Sequence, residues 1–253
     1  MKIFKHLSIA AVAVMFFSAE AVAQNSMRSF SDNWEIGITG GLNVGATTPL
    51  PKPSEVEHIY AWQPHMNLAL KGWATYRIEN YDRWGITTGL EVERKGMYAS
   101  TRVNAIKVHM DKYGFKGERY TGDNSTEIDN YYLTLPVMAS YITLNEKFRI
   151  HAGLYLSYAM QSSFKVTLDG DGMLDDHKLQ EGSLVDFDFS DQMKSMDFGA
   201  RIGFDFFFTP RIGVTGQVNM AFTSAVKSSF DVMPFSLYNT YGFPGFTYNL
   251  FKR

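Results

Sequence analysis

The chain has 253 residues, a formal net charge of -2 and no cysteine, and aromatic residues make up 15% of it. The near-neutral charge gives no reason to expect nucleic-acid binding. The lack of cysteine excludes disulfide cross-links and thiolate chemistry. Many aromatic residues together with 21 glycines are more typical of strands than of helices. The composition therefore favours one β-rich unit, either a soluble domain or a barrel.

The N-terminus has the pattern of a secretory signal peptide. Two lysines precede the apolar stretch 7–17, and Ala21 to Ala23 provides the small residues of a cleavage site. The apolar stretch is too short to cross about 30 Å of hydrocarbon as a helix, which argues against a retained anchor. We expect residues 1–23 to be a signal peptide and residues 24–253 to form one exported domain.

Eight later segments alternate apolar and polar residues with a period of two, which is the pattern of strands with two different faces. In chain order they are residues 34–45, 66–78, 84–98, 129–144, 148–164, 196–208, 211–224 and 241–251. In the fifth segment, His151, Tyr155, Ser157 and Gln161 share the polar face. A segment of about twelve residues, such as 34–45, suits a strand that crosses a membrane at a tilt.

The breaks between these segments are alternately short and long. The short ones are residues 79–82, 145–147 and 209–210, and the long ones are 46–65, 100–127, 165–192 and 225–239. Short turns at one end and long loops at the other are typical of outer-membrane barrels. The sequence predicts an all-β fold, an eight-stranded antiparallel transmembrane β-barrel (an up-and-down meander) with short periplasmic turns and long extracellular loops. The alternative is a soluble β-sandwich, whose polar face would be the outer one.

Eight strands enclose a space that side chains alone can fill, so the polar faces determine what lies inside. The expected luminal polar network consists of Glu35, Lys71, Arg77, Glu91, Glu93, Lys95, His151, Asp197, Arg201, Asp205 and Arg211. Enclosed charges are tolerable only when paired and hydrogen-bonded, and acids and bases are nearly equal in number here. We therefore predict a plugged interior of ion pairs, with Glu35, Glu91 or Asp205 as partners of Arg201.

Three segments carry a family resemblance. Residues 131–141 (YYLTLPVMASY) resemble the YLxIPL strand of PorT-like outer-membrane β-barrels of Bacteroidota, and residues 148–155 (FRIHAGLY) look like that family's next strand. Residues 197–204 (DFGARIGF) are similar to its D-x-G-x-x-x-G strand. The resemblance implies an outer-membrane protein, in some members tied to secretion by the type IX system.

Such barrels end in an assembly signal of a glycine and spaced apolar residues. Gly245, Tyr248 and Leu250 fit that spacing, although two basic residues follow where the family often stops at an aromatic one. The expected partners are outer-membrane lipid, the barrel assembly machinery during biogenesis, and an envelope or secretion protein, with no nucleic acid.

Catalytic and metal-binding motifs are weak in this sequence. Acyl transfer needs a nucleophile, a base and an orienting group within hydrogen-bond reach, and no motif supplies them. His151 lies on the luminal face near a periplasmic turn, which favours a place in the polar network. The acidic loop from Asp169 to Asp176 has oxygen ligands suited to calcium but lacks the final Glu of an EF-hand. We expect no catalysis, no cofactor and no metal.

The function expected from the sequence is a non-catalytic one. The chain would be an integral outer-membrane β-barrel protein with a structural or interaction role in the cell envelope, and an accessory role in type IX-like secretion is one form that this role could take. One alternative is a small ligand-binding or narrow transport barrel whose long loops carry specificity. A third interpretation is a lipid A-modifying enzyme.

Overall fold

The computed structural model describes residues 33–49, 54–65, 67–81, 83–110, 115–169, 173–174, 177–178, 184–230, 232 and 235–251. The predicted signal peptide, residues 1–23, lies outside these ranges, as does most of the acidic loop 169–176. Within the described ranges no helix is both long and apolar enough to cross a membrane.

The described residues form twelve strands and one short 3-10 helix, which spans Ser190–Gln192. The strands are β1 (Trp34–Pro49), β2 (Val56–Pro64), β3 (Asn67–Arg77), β4 (Trp84–Met110), β5 (Phe115–Ile142), β6 (Phe148–Asp169), β7 (Met173–Leu174), β8 (His177–Lys178), β9 (Leu184–Asp188), β10 (Met196–Phe207), β11 (Ile212–Ala221) and β12 (Leu237–Phe251).

Eight of these strands close a ring. β1 pairs with β3. The ring then continues through β4, β5, β6, β10, β11 and β12, and each of these strands is antiparallel to the strand before it. β12 then pairs with β1, which closes the barrel and leaves no edge strand at this level. The prediction of an eight-stranded up-and-down barrel is confirmed.

The outer face of the ring is apolar, because alternate residues of each strand point to lipid. The exposed large side chains on this face include Leu68, Ile86, Leu90, Val92, Leu135, Val137, Ile150, Leu154, Leu156, Ile202, Phe204, Phe206, Val218, Met220 and Phe246. At the periplasmic end, Trp34 packs on Tyr76 and Trp84 on Tyr141, with ring centroids 5.2 and 5.1 Å apart. Such aromatic pairs are typical of the membrane interface.

The other boundary of the apolar band is marked by an outward-facing ion pair. Arg94 of β4 donates two hydrogen bonds of 2.7 Å to the carboxylate of Asp129 on β5. The last outward apolar residue before Arg94 on β4 is Val92. We therefore place the outer surface of the membrane at the level of this pair.

A charge on the lipid-facing surface is expected to destabilise the barrel. Ile202 lies near the middle of β10 and is 59% exposed. We expect Ile202→Arg to lower the free energy of unfolding in lipid vesicles by about 2–4 kcal/mol, because the guanidinium would sit in hydrocarbon. The control is Leu144→Arg in a periplasmic turn, where the side chain is 79% exposed. Equal, small losses for the two variants would contradict the assignment of this face to lipid.

Beyond the Arg94–Asp129 pair, β4 and β5 continue as a long hairpin, and the neighbouring segments join it. β2 pairs with β4, β7 pairs with β5 and with β8, and β9 pairs with β6. We call this region above the membrane the extracellular module. The prediction of a loop over residues 100–127 was wrong there, because the strands run to Met110 and resume at Phe115.

The extracellular module has an apolar interior, the reverse of the barrel below it. Its buried core contains Met97, Val103, Ile106, Tyr120, Ile128, Phe164, Leu168, Phe187, Phe189, Met193, Ala225, Val226, Phe230 and Leu237. In water, burial of such side chains is the main force that holds a module together. The chain therefore folds around a polar interior within the membrane and around an apolar one outside it.

Candidate functional site in the barrel interior

The barrel interior at membrane level is lined by charged side chains in equal numbers of each sign. Among the described residues, the buried acids are Glu35, Glu91, Glu93, Asp197 and Asp205, and the buried bases are Lys71, Arg77, Lys95, Arg149 and Arg201. His151 is buried with them. We call these eleven residues the luminal network. Sequence reasoning named every member except Arg149.

The periplasmic end of the luminal network is built around Glu35 of β1. Its carboxylate contacts the guanidinium groups of Arg77 and Arg149, and Arg77 Nε donates to Glu35 Oε1 at 2.7 Å. Arg77 also contacts Glu146 of the turn before β6 at 2.9 Å. The guanidinium of Arg149 lies 4.8 Å from the ring centroid of Phe207. One buried carboxylate therefore neutralises two guanidinium groups from different strands at the periplasmic end of the barrel.

The middle of the luminal network joins opposite walls of the barrel. Arg201 of β10 donates to both carboxylate oxygens of Glu91 on β4, at 2.5 and 2.8 Å. Lys71 of β3 approaches the same carboxylate at 3.5 Å. Of the three partners predicted for Arg201, Glu91 is the one that the structure places in contact with it. A two-bond guanidinium–carboxylate pair fixes geometry as well as charge.

The outer end of the luminal network surrounds Lys95. Its ammonium lies 3.1 Å from Glu93 and 3.8 Å from Asp197. The ring centroids of Tyr132 and Tyr155 lie 4.9 and 5.2 Å from the same nitrogen, within the range of cation–π contact. Two carboxylates and two aromatic faces thus enclose one ammonium directly below the extracellular module.

A chain of hydroxyl and imidazole hydrogen bonds crosses the interior between these clusters. Thr75 bonds Thr87 at 2.7 Å, Thr87 bonds Ser140 at 2.5 Å, Ser140 bonds His151 Nδ1 at 2.7 Å, and His151 Nε2 bonds Asp205 at 2.8 Å. Sequence reasoning did not find this arrangement, since its members come from five different strands. It brings a serine, a histidine and an aspartate within hydrogen-bond reach.

The geometry of this trio differs from that of an acyl-transfer triad. In such a triad the serine faces Nε2 of the histidine and the aspartate faces Nδ1, whereas Ser140 here faces Nδ1 and Asp205 faces Nε2. Ser140 is also fully buried and shares its hydroxyl with Thr87. The arrangement therefore satisfies polar groups inside the barrel and does not present a nucleophile to a substrate.

The free space among these side chains is small. A void of about 20 Å³ lies between Lys71, Trp73, Glu91, His151 and Asp205, among other residues. A cavity needs at least about 10–15 Å³ to hold one water molecule. This void therefore has room for about one water molecule, far less than an ion pathway requires.

The prediction for Arg211 was wrong. The residue is exposed in the turn that precedes β11, and its carbonyl oxygen accepts a hydrogen bond of 2.8 Å from the backbone of Asn249. Arg211 lies four residues before the inward-facing Thr215, so it would share that face if the strand extended to it. β11 begins only at Ile212, however, so Arg211 lies outside the barrel wall.

The described residues contain no group of three or more His, Cys, Asp or Glu side chains that could hold a metal ion. The acidic loop that the sequence suggested for calcium lies mostly outside the described ranges.

Comparison with known proteins gives a family but no close relative. No curated protein matches the chain. Among solved structures, Ail, the attachment invasion locus protein of Yersinia pestis, crystallised with the heparin analogue sucrose octasulfate, is 10% identical, with a TM-score of 0.38 over 86% of this chain and 97% of Ail. Its structure in a phospholipid nanodisc is 15% identical, with a TM-score of 0.34 over 85% and 99%.

The translocator domain of the autotransporter NalP from Neisseria meningitidis is 11% identical, with a TM-score of 0.25 over 95% of this chain and 97% of that domain. The family model described as "Outer membrane protein beta-barrel domain" matches residues 22–227, which is most of the chain. That match agrees with the closed ring, its apolar outer band and its charged interior. The chain is an outer-membrane protein and belongs to the outer membrane protein beta-barrel domain family.

Proposed function

We propose that this chain is a non-conducting, non-catalytic outer-membrane protein that acts by interaction through its extracellular module. The observation that carries the proposal is that the interior is charged at membrane level and apolar in the extracellular module. Balanced ion pairs fill the barrel at membrane level, and the strands then continue into a module with its own apolar core. A barrel used as a pore would need an open interior, whereas a barrel used as a support needs a stable one.

The extracellular module has a surface suited to interaction. β2 lies at one end of the strand order and pairs with β4. Its side chains Ile59, Tyr60 and Trp62 are about half exposed, although they lie beyond the lipid-facing band. Exposed aromatic and aliphatic side chains outside a membrane are typical of binding surfaces.

The non-conducting role can be tested in planar lipid bilayers. We expect the refolded protein to give no stepwise currents, because ion pairs such as Arg201–Glu91 close the interior. Insertion is checked on the same sample by the shift in gel mobility that a folded barrel shows only after boiling. Discrete current steps of constant size from inserted protein would contradict the proposal and favour a narrow transport barrel.

The non-catalytic role rests on the geometry of Ser140, which is buried and faces the wrong imidazole nitrogen for acyl transfer. Mass spectra of lipid A from cells with and without the protein would test it. Any modified lipid A species that depends on the protein would overturn this part of the proposal.

A second candidate role is that of an accessory to protein secretion in a PorT-like barrel. It is favoured by the three strand motifs at residues 131–141, 148–155 and 197–204. The test is the amount of secreted protein in the culture medium after deletion of the chain in its native host. Unchanged secretion would exclude this role and leave the interaction role untouched.

A further inference from the structure

A cavity of about 180 Å³ lies in the extracellular module between β1 and β2. Its lining includes Ala46 and Pro49 of β1, Ile59 and Trp62 of β2, and Ala99 of β4. Among the described residues that line the cavity, none carries a charge. For comparison, an engineered apolar cavity of about 150 Å³ stays dry and binds benzene. The cavity can therefore hold an aromatic ring or a segment of hydrocarbon chain.

The barrel wall is open beside this cavity. The ladder between β1 and β3 ends at the pair Asn43 and Asn67. Above it β1 pairs with β12 and β2 pairs with β4, and no ladder joins β1 to β2 in the described part of the chain. We call the gap between residues 44–49 and residues 56–64 the slot. The cavity thus borders a part of the wall that no backbone ladder closes in the described part of the chain.

The floor of the slot is polar and closed. Asn67 donates its side-chain amide to the backbone oxygens of Asn43 and Gly96, at 3.2 and 2.8 Å. Asn43 in turn donates to the buried carboxylate of Glu93 at 3.1 Å. This hydrogen-bonded layer lies between the slot and Glu93 of the luminal network.

The slot opens at the outer surface of the membrane. Val44 and Leu68 lie at its base and are 42% and 67% exposed on the lipid-facing side. β3 pairs with β4 up to Ala69 and Glu93, so Leu68 lies near the level of Arg94. The apolar outer surface therefore continues from the lipid-facing band, through the slot, into the cavity.

We propose that the cavity binds the hydrocarbon part of an amphiphilic molecule, which enters sideways through the slot from the outer surface of the membrane. The absence of charge among the described lining residues favours a hydrocarbon over an ionic group, because burial of an unpaired charge is costly. The hydrocarbon could come from a soluble amphiphile or from an acyl chain of the surrounding lipid. This inference does not depend on the non-conducting role.

The test uses quenching of Trp62 fluorescence by bromine on an alkyl chain. The full-length protein is placed in lipid nanodiscs with Trp34→Phe and Trp84→Phe, which removes the two tryptophans of the periplasmic girdle. Trp73 remains inside the barrel, where it donates to Thr247. In the first arm, 11-bromoundecanol is added to nanodiscs of ordinary lipid. In the second arm, the nanodisc lipid itself carries brominated acyl chains and nothing is added.

We expect saturable quenching on titration in the first arm, or quenching in the second arm that depends on an unfilled cavity. Ala99→Phe, which fills the cavity, should weaken binding of bromoundecanol at least tenfold or abolish the quenching by brominated lipid. The matched control is Ala139→Phe on the lipid-facing side of β5, which should behave like the parent protein. Saturation in the first arm identifies a soluble amphiphile as the source, and quenching in the second arm that Ala99→Phe removes identifies a lipid chain.

Quenching that rises linearly with the probe and is the same in Ala99→Phe would overturn the proposal, since it would report only contact with the bilayer. If Ala99→Phe does not fold, Ile59→Glu provides a second variant. Ile59 is 50% exposed, so the change places a carboxylate at the entrance at little cost to folding. It should also weaken saturable quenching at least tenfold, and unchanged quenching in this variant would count equally against the proposal.

Discussion

Arg201→Met is expected to lower the free energy of unfolding by about 3–5 kcal/mol. The change leaves the buried carboxylate of Glu91 without its two-bond partner, and removal of one member of a buried ion pair typically costs that much. It also leaves the amide oxygen of Asn219, which accepts from Arg201 Nε at 2.6 Å, without that donor. Lys71 stays near Glu91 but is already bonded to Gln217 at 2.7 Å. Urea unfolding in lipid vesicles measures the loss.

A control for this variant is Arg102→Met in the extracellular module. Arg102 pairs with Asp123 at 3.4 Å, and the two side chains are 49% and 38% exposed. Exposed pairs contribute at most about 1 kcal/mol, so we expect a small effect. Adding Glu91→Gln to Arg201→Met should recover part of the stability, because the stranded charge is removed. A loss for Arg201→Met no larger than that of the control would contradict a packed ionic interior.

Much of the barrel could be predicted from period-two alternation alone, because the pattern reports which face a side chain takes. The same alternation includes Arg149, which shares the parity of His151 but is only the second residue of β6. Extending the polar face of β6 by two residues, from His151 back towards the start of the strand, would have found Arg149. Alternation does not report where a strand begins, and Arg211 was misplaced for that reason.

Alternation also fails where one residue is inserted into a strand. Tyr132 pairs with Ala159 and Tyr131 with Gln161, so Met160 is the extra residue of a β-bulge in β6. Beyond the bulge the faces are exchanged. Gln161, predicted to share the polar face with Ser157, is exposed, and Phe164 turns inward to the apolar core. The bulge occurs at the level where the interior changes from polar to apolar.

Contacts across the interior could not be predicted, because they depend on how the strands are staggered around the ring. The alternation of faces along each strand places Ser140, His151 and Asp205 inside the barrel. Whether the three side chains come into contact depends on the register between neighbouring strands. Ser140 pairs directly with His151, while His151 pairs with Gly203, two residues from Asp205. The hydrogen-bonded trio therefore became visible only in the structure. For the same reason Glu91 could be proposed as a partner of Arg201 but not singled out.

Glu35→Gln is expected to cost about 3–5 kcal/mol of unfolding free energy, because it leaves the guanidinium groups of Arg77 and Arg149 around a neutral amide. The matched control is Glu146→Gln, which removes a second carboxylate from the same Arg77. Glu146 is 40% exposed, so solvent can replace its charge and the expected loss is at most about 1 kcal/mol. Both variants neutralise a carboxylate that contacts Arg77; Glu35 differs from Glu146 in being buried and in contacting Arg149 as well.

A second step separates lost charge from lost packing at this end of the barrel. Arg149→Met in the Glu35→Gln background removes one of the two cations that faced Glu35 while keeping an unbranched side chain beside Phe207. We expect the double variant to be more stable than Glu35→Gln alone, as measured by urea unfolding in the same vesicles. If Arg149→Met instead adds a further loss, the contact of Arg149 with Phe207 and Trp73 matters more than its charge, and the periplasmic end is closed by packing rather than by ion pairing.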